Sequence, residues 1–290
     1  MHDRPGSSAT TAVPALIPPK ALHDDLLGRF REVISDPLNL LIERVPLAGL
    51  VEANHVYLHN GNRVPLVGSG AYYGPFSQLL VVNRGVHEPL EEYVFQQLLR
   101  SLGETPIMLE LGAYWGHYSM WLKKVRPQAT VILVEPDAVN LTAGINNFQL
   151  NGLTGEFIRS AVGRQHLQVD FFRSERQLDR LDILHVDIQG QEAEMLEGCG
   201  RTLAERRADY LFISTHSQAL HEQIVRDTTA FGYRVEVSSD FDEQTTSFDG
   251  FVFASSPDAA LIFRNFKPIG RTQIVRSRPQ ELLTALSEMQ

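Results

Sequence analysis

The chain has a single cysteine, Cys199, so it can form neither an internal disulfide nor a cysteine-rich zinc centre. A reducing, cytoplasmic setting fits that thiol content. Long apolar runs are also missing: stretches such as Val131–Val134 fall far short of the roughly 20 residues that cross a bilayer. The first twenty residues carry several prolines and no continuous apolar segment, which argues against a secretory leader. Excess positive charge is absent, with 26 basic residues against 35 acidic ones and a formal net charge of −9. Binding along a phosphate backbone depends on clustered Lys and Arg, so neither nucleic acid nor membrane is an expected partner. Phosphate-gripping motifs are lacking as well, since no G-x-G-x-x-G and no P-loop GK[ST] occurs. What is present is an ordinary globular balance, 43% hydrophobic and 21% charged over 290 residues.

Residues 1–20, rich in Ser, Thr, Ala and Pro, read as a flexible tail. Residues 21–84 read as an N-terminal cap. It begins with a helix over 21–35, whose apolar face carries Leu22, Leu26, Leu27, Phe30 and Val33. Val56-Tyr57-Leu58, Asn60-Gly61 and Val64-Pro65-Leu66 then suggest a small hairpin. Tyr72 and Tyr73 follow in a loop-rich stretch, where they could stack on a substrate ring or simply pack.

From residue 85 to 256 short apolar runs alternate with amphipathic helices, the pattern of a parallel sheet covered on both faces. Strands are expected at Ile107–Leu111, Thr130–Val134, Glu156–Ser160, Ile183–Ile188 and Tyr210–Ser214. Arg234–Ser238 and Gly250–Ala254 form a closing hairpin, which makes seven strands with one reversed. Residues 257–290 are an appendage with Arg264, Lys267, Arg271, Arg276 and Arg278 before a short helix.

Three constellations carry chemistry. Glu110-Leu111-Gly112-Ala113-Tyr114-Trp115-Gly116 follows the first strand, and its glycines let a ligand lie against the chain while Glu110 can pair with an ammonium group. Glu135 ends the second strand, where a carboxylate is placed to accept hydrogen bonds from both hydroxyls of a ribose. Asp187, in His185-Val186-Asp187-Ile188-Gln189-Gly190-Gln191-Glu192, ends the fourth strand. Strands one and four should flank the switch in strand order, where ligands bind. A structural reading stands beside each: a plain strand-to-helix turn, an exposed cap and a helix cap.

In order and spacing these pieces resemble the FkbM family of methyltransferases. Further matches are Gly85-Val86-His87-Glu88-Pro89, Val134-Glu135-Pro136, Asn146-Asn147 with Asn151-Gly152, Ala161-Val162-Gly163 and Asp249-Gly250-Phe251. The resemblance covers about residues 85–256. It implies a Rossmann-like class I methyltransferase fold, S-adenosylmethionine as cofactor, and methyl transfer to a hydroxyl of a sugar, polyketide or related natural product. Glu110, Gly112, Ala113 and Gly116 would line the methionine end of the cofactor, Glu135 would hold its ribose and Ala161 would lie near the adenine. The sequence departs from the family in having Glu at 110 and Tyr114-Trp115 in the turn.

His216, in Ser214-Thr215-His216-Ser217 after strand five, is the expected general base, oriented by Asp187. A buried structural histidine is the competing view. Glu88 is assigned to the acceptor pocket, although a helix N-terminus also favours Glu. A divalent metal held by Asp187 and His216 is possible, but two candidate ligands are thin evidence and a metal is not predicted. The expected partner is a small hydroxyl-bearing molecule, with self-association possible. A nicotinamide-dependent oxidoreductase and a non-catalytic cofactor-binding module are the alternatives.

Overall fold

Apolar residues of a fully buried parallel sheet run continuously along each strand, and this pattern sets the architecture between residues 107 and 255. The computed structural model describes residues 26–72 and 74–289. The expected tail over 1–20, the start of the first helix and Tyr73 lie outside the described residues. A small antiparallel sheet comes first: β1 (Val51–Glu52), β2 (His55–Tyr57) and β3 (Arg63–Pro65), in the order β1-β2-β3. The expected hairpin is β2–β3. The additional strand β1 joins β2 through Ala53 and Asn54, both with positive φ, a tight primed-type turn that carries none of the usual Asn-Gly signature.

The main sheet comprises β4 (Ile107–Leu111), β5 (Thr130–Val134), β6 (Glu156–Ile158), β7 (Leu181–Val186), β8 (Ala208–Thr215), β9 (Arg234–Ser239) and β10 (Gly250–Ser255). Its order is β6-β5-β4-β7-β8-β10-β9. Every pair from β6 to β8 is parallel, and β10 runs antiparallel to both β8 and β9. The fold is therefore Rossmann-like, with one reversed strand, as expected. The chain leaves β4 towards β5 on one side and returns to β7 on the other, so the switch point lies between β4 and β7. β4 and β5 have the expected bounds, and the other five strands differ from expectation by one to two residues at one or both ends.

Side-chain alternation assigns each strand residue to one of two cores. Met108, Phe212 and Phe253 face Phe95, Leu98 and Trp121 from the helices Pro89–Ser101 and His117–Val125. Leu109, Leu111, Leu184 and Ile213 face Met195, Leu196 and Ile224 on the other side. Burying one such Leu or Phe contributes roughly 1.5–3 kcal/mol. The first core also includes Val33, Leu38, Val56 and Leu58, so the N-terminal segment completes the sheet's covering layer.

Polar contacts tie both ends to the centre. Asn151 accepts the Arg63 N–H and donates to the Arg63 carbonyl, each at 2.8 Å. Buried Arg271 pairs with Glu32 at 2.9 Å, joining residues from the two appended ends.

Candidate active site

The turn after β4 is shaped by its neighbours. The N–H groups of Gly112 and Ala113 both donate to the Val134 carbonyl, and Asp187 N–H donates to the Leu111 carbonyl. These bonds gather the tips of β4, β5 and β7. Gly112 has φ +76°, and a Cβ there would lie 1.7 Å from the Asp187 carbonyl oxygen, so no larger residue fits. Tyr114 takes φ +44° without being glycine. Its N–H donates to Glu135 Oε2 at 3.0 Å, while Asp137 N–H donates to Glu135 Oε1 at 2.9 Å. Glu135 thus braces the turn as well as closing β5. Asn147 helps from the helix Ala138–Leu150 by donating to the Trp115 carbonyl at 3.0 Å.

Beyond these tips lies a cavity of about 460 Å³, within the range that holds a small cofactor. Gly112, Tyr114, Glu135, Ala161, Ile188 and Asp187 are among the residues lining it. Among the described residues its walls contain two carboxylates and no Lys or Arg. A second depression, of about 420 Å³ between Glu43, His59, Trp121 and Arg126, includes none of the strand-tip residues.

A polar cluster surrounds Asp187. His216 Nε2 lies 3.2 Å from Asp187 Oδ1 and 3.5 Å from Asp249 Oδ1, while Nδ1 lies 2.8 Å from Glu192 Oε1. Gln189 Nε2 sits 2.9 Å from His216 Nε2. Glu88 and Glu91, one helical turn apart at the start of Pro89–Ser101, accept hydrogen bonds from Tyr118 (2.8 Å) and Ser214 (3.1 Å) respectively.

The Methyltransferase FkbM domain matches residues 70–243, more than half of the sequence. The chain belongs to the FkbM methyltransferase family. It is, on that membership, an S-adenosylmethionine-dependent methyltransferase. No curated protein matches it. Similar solved structures include the precorrin-6y C5,15-methyltransferase of Geobacter metallireducens GS-15, at 13% identity and TM-score 0.44, covering 58% of this chain and 87% of that one. Another is TrmK of M. capricolum in complex with S-adenosyl-homocysteine, at 10% and 0.41, covering 67% and 81%. A third is a SAM-dependent methyltransferase of Agrobacterium tumefaciens, at 17% and 0.42, covering 58% and 61%. At these scores the likenesses carry no functional weight.

Within this FkbM methyltransferase, Gly112, Glu135, Ala161 and Asp187 border the strand-tip cavity. Glu110, Ala113 and Gly116 do not border it. Glu110 is 2% exposed, on the same strand face as Met108, and its carboxylate accepts the Ser119 N–H at 3.3 Å. Burial pushes it up to about 8. The strand pleat turns this side chain beneath the helix His117–Val125 rather than towards the strand end. Ala113 is buried within the turn, and Gly116 begins that helix with φ +77°.

His216 meets Asp187 as expected, but its environment is not that of a base. Burial works against its charge, yet the hydrogen bonds to Asp187 and Glu192 and the charge of Asp249 outweigh burial and hold it up at about 11. An imidazole in that state keeps its proton at neutral pH. Burial also lifts Asp249 to about 8 against the pull of His216. It raises Glu91 well above the usual range, with Glu88, Asp187 and Asp249 adding to the effect.

Glu88 stands at this cluster as expected. Tyr72 instead packs among His87, Trp115 and Phe76, with ring centroids 4.9, 5.0 and 5.8 Å away, so its ring belongs to the core rather than an open stacking face. Sequence reasoning missed Glu91, Glu192 and Asp249. Glu91 follows Glu88 by three positions on one helix face. Glu192 and Asp249 stand inside segments already quoted for the family resemblance.

Proposed function

We propose that the strand-tip cavity holds S-adenosylmethionine and that the enzyme methylates a hydroxyl of a small molecule, such as a sugar, polyketide or related natural product. The observation that carries this reading is the lining: two carboxylates at the tips of β5 and β7, on either side of β4, an apolar wall and, among the described residues, no cation to meet a phosphate. A phosphate-free cofactor with a ribose and a cationic amino-acid end fits such walls, whereas a dinucleotide's pyrophosphate would face carboxylates alone. When bound, the cofactor supplies an electrophilic methyl group on a sulfonium.

The chain's own residues supply the rest. Each Glu135 oxygen accepts one backbone N–H, and a carboxylate oxygen has further acceptor capacity for a ribose hydroxyl. Asp187 lies both on the cavity wall and in the acidic cluster, so it links donor and acceptor regions. Asp187 receives the hydrogen bond of the acceptor hydroxyl, while His216 and Asp249 beside it fix its orientation. Alignment of the acceptor oxygen with the methyl group then provides much of the rate gain. His216, holding its own proton, does not take the hydroxyl's proton, which passes to solvent.

Calorimetry with S-adenosyl-homocysteine and NAD tests the cofactor reading. Binding of the first without the second is expected, and the reverse would remove the proposal. An acceptor panel with alcohols and amines then decides the atom methylated.

A further inference from the structure

Asp187, His216 and Asp249 belong to three separated segments: the stretch after β7, the stretch after β8 and the residue preceding β10. Strand register brings the last two together. β10 runs antiparallel to β8 with Gly250 opposite Thr215, so Asp249 and His216 stand one position beyond that pair. One ligand-type atom from each of the three residues lies within 4.8 Å of the other two.

The histidine is held in a metal-ligand posture. Its Nδ1 touches Glu192 Oε1, on a side chain with no exposure. Glu192 Oε2 has no hydrogen-bond partner. With its Nδ1 proton held by that carboxylate, the imidazole coordinates through Nε2, whose proton the arriving ion displaces, an arrangement common where histidine binds a metal. That Nε2 faces one oxygen of Asp187 and one of Asp249. Among the described residues none of Glu88, Glu91, Asp187, Glu192 and Asp249 pairs with a Lys or Arg. Several carboxylates therefore converge here, opposed only by the imidazoles of His216 and, at Glu88, His87.

We propose that Asp187, His216 and Asp249 bind a divalent cation of the magnesium–manganese class beside the site of methyl transfer. Two carboxylates suit a hard ion, and the imidazole shifts preference towards manganese. Three protein ligands leave positions open for water and for the acceptor oxygen. The sequence offers only Asp187 and His216, and the reversed strand adds the third ligand. The ion's catalytic use rests on the donor reading above, whereas its binding does not. With the acceptor hydroxyl on the ion, the proton passes to solvent, and the new O–C bond forms as the C–S bond breaks. Sulfur keeps the electron pair.

The test uses the full chain stripped with a chelator and titrated with Mn²⁺ by calorimetry, beside a separate titration with S-adenosyl-homocysteine. Binding of Mn²⁺ is expected, weakened on the order of 30-fold or more in Asp249→Asn and His216→Gln, with S-adenosyl-homocysteine affinity held within about threefold. Pulsed electron paramagnetic resonance of the wild-type Mn²⁺ complex should show coupling to a directly bound imidazole nitrogen, a readout that needs no variant to fold. Wild-type protein that binds S-adenosyl-homocysteine but neither Mn²⁺ nor Mg²⁺ overturns the proposal. So does Mn²⁺ affinity unchanged in both variants, which would move the ion to the buried group His59, Glu92 and His117. Mn²⁺ binding lost in the variants, in a protein that never binds S-adenosyl-homocysteine, keeps the metal site and removes the donor reading instead.

Discussion

Replacing Glu110 with Gln probes both the interior of the sheet and the reach of the cofactor site. Glu110 sits 2% exposed under the helix His117–Val125, and burial pushes its carboxyl from 4.5 up to about 8. The folded protein therefore keeps a proton on Glu110 over a range in which the unfolded chain has lost it. That stabilisation is fully present below pH 4.5 and is lost as pH rises through 8. A shift of this size corresponds to a total on the order of 5 kcal/mol. Gln keeps the carbonyl oxygen that accepts the Ser119 N–H and cannot ionise. Urea unfolding of cofactor-free protein at pH 5, 6.5 and 8.5 should show the variant gaining on wild type with each step. Other titrating groups cancel, because both proteins carry them. A stability difference that stays constant with pH would refute the reasoning. The same variant checks geometry: because Glu110 does not border the cavity, S-adenosyl-homocysteine affinity should change by less than about threefold. A hundredfold loss, about 2.7 kcal/mol, would restore the direct ammonium contact expected from the sequence.

Gly112→Ala forces a Cβ against the Asp187 carbonyl at φ +76°. Beyond roughly 1–2 kcal/mol of backbone strain, it must push the β7 tip away, so calorimetry should detect no cofactor binding. Normal binding would mean the turn is not the cofactor's floor. Glu135→Gln removes a charge-assisted acceptor from the cavity wall, and S-adenosyl-homocysteine should bind roughly 10- to 100-fold more weakly. An unchanged dissociation constant places the ribose elsewhere.

The parallel strands were readable because a sheet covered on both faces demands mostly apolar runs, as in Val131–Val134 and, interrupted only by Glu110, Ile107–Leu111. The glycine turn was readable because Gly112 fills a position where a side chain has no room. The direction of Glu110 was not, since the motif fixes its place in the chain while the pleat fixes its face. His216 was found as a residue but misread in role. Its charge is held by the hydrogen bonds to Asp187 and Glu192 and further by Asp249, which is close because β10 reverses and sets Gly250 against Thr215. Antiparallel register of that kind leaves no local pattern in a sequence.

The same consideration bears on the acceptor. A net charge of −9 says little when spread over a whole surface. The fold gathers Glu88, Glu91, Asp187, Glu192 and Asp249 around one imidazole. A free phosphate or carboxylate brought there would meet like charge in a partly desolvated setting, where repulsion is strong. A neutral hydroxyl meets hydrogen-bond acceptors instead. In the metal-free protein the local field therefore selects against anionic acceptors more firmly than any single contact selects for a particular alcohol. An acceptor panel sorted by charge should show that ranking before it shows a preferred scaffold.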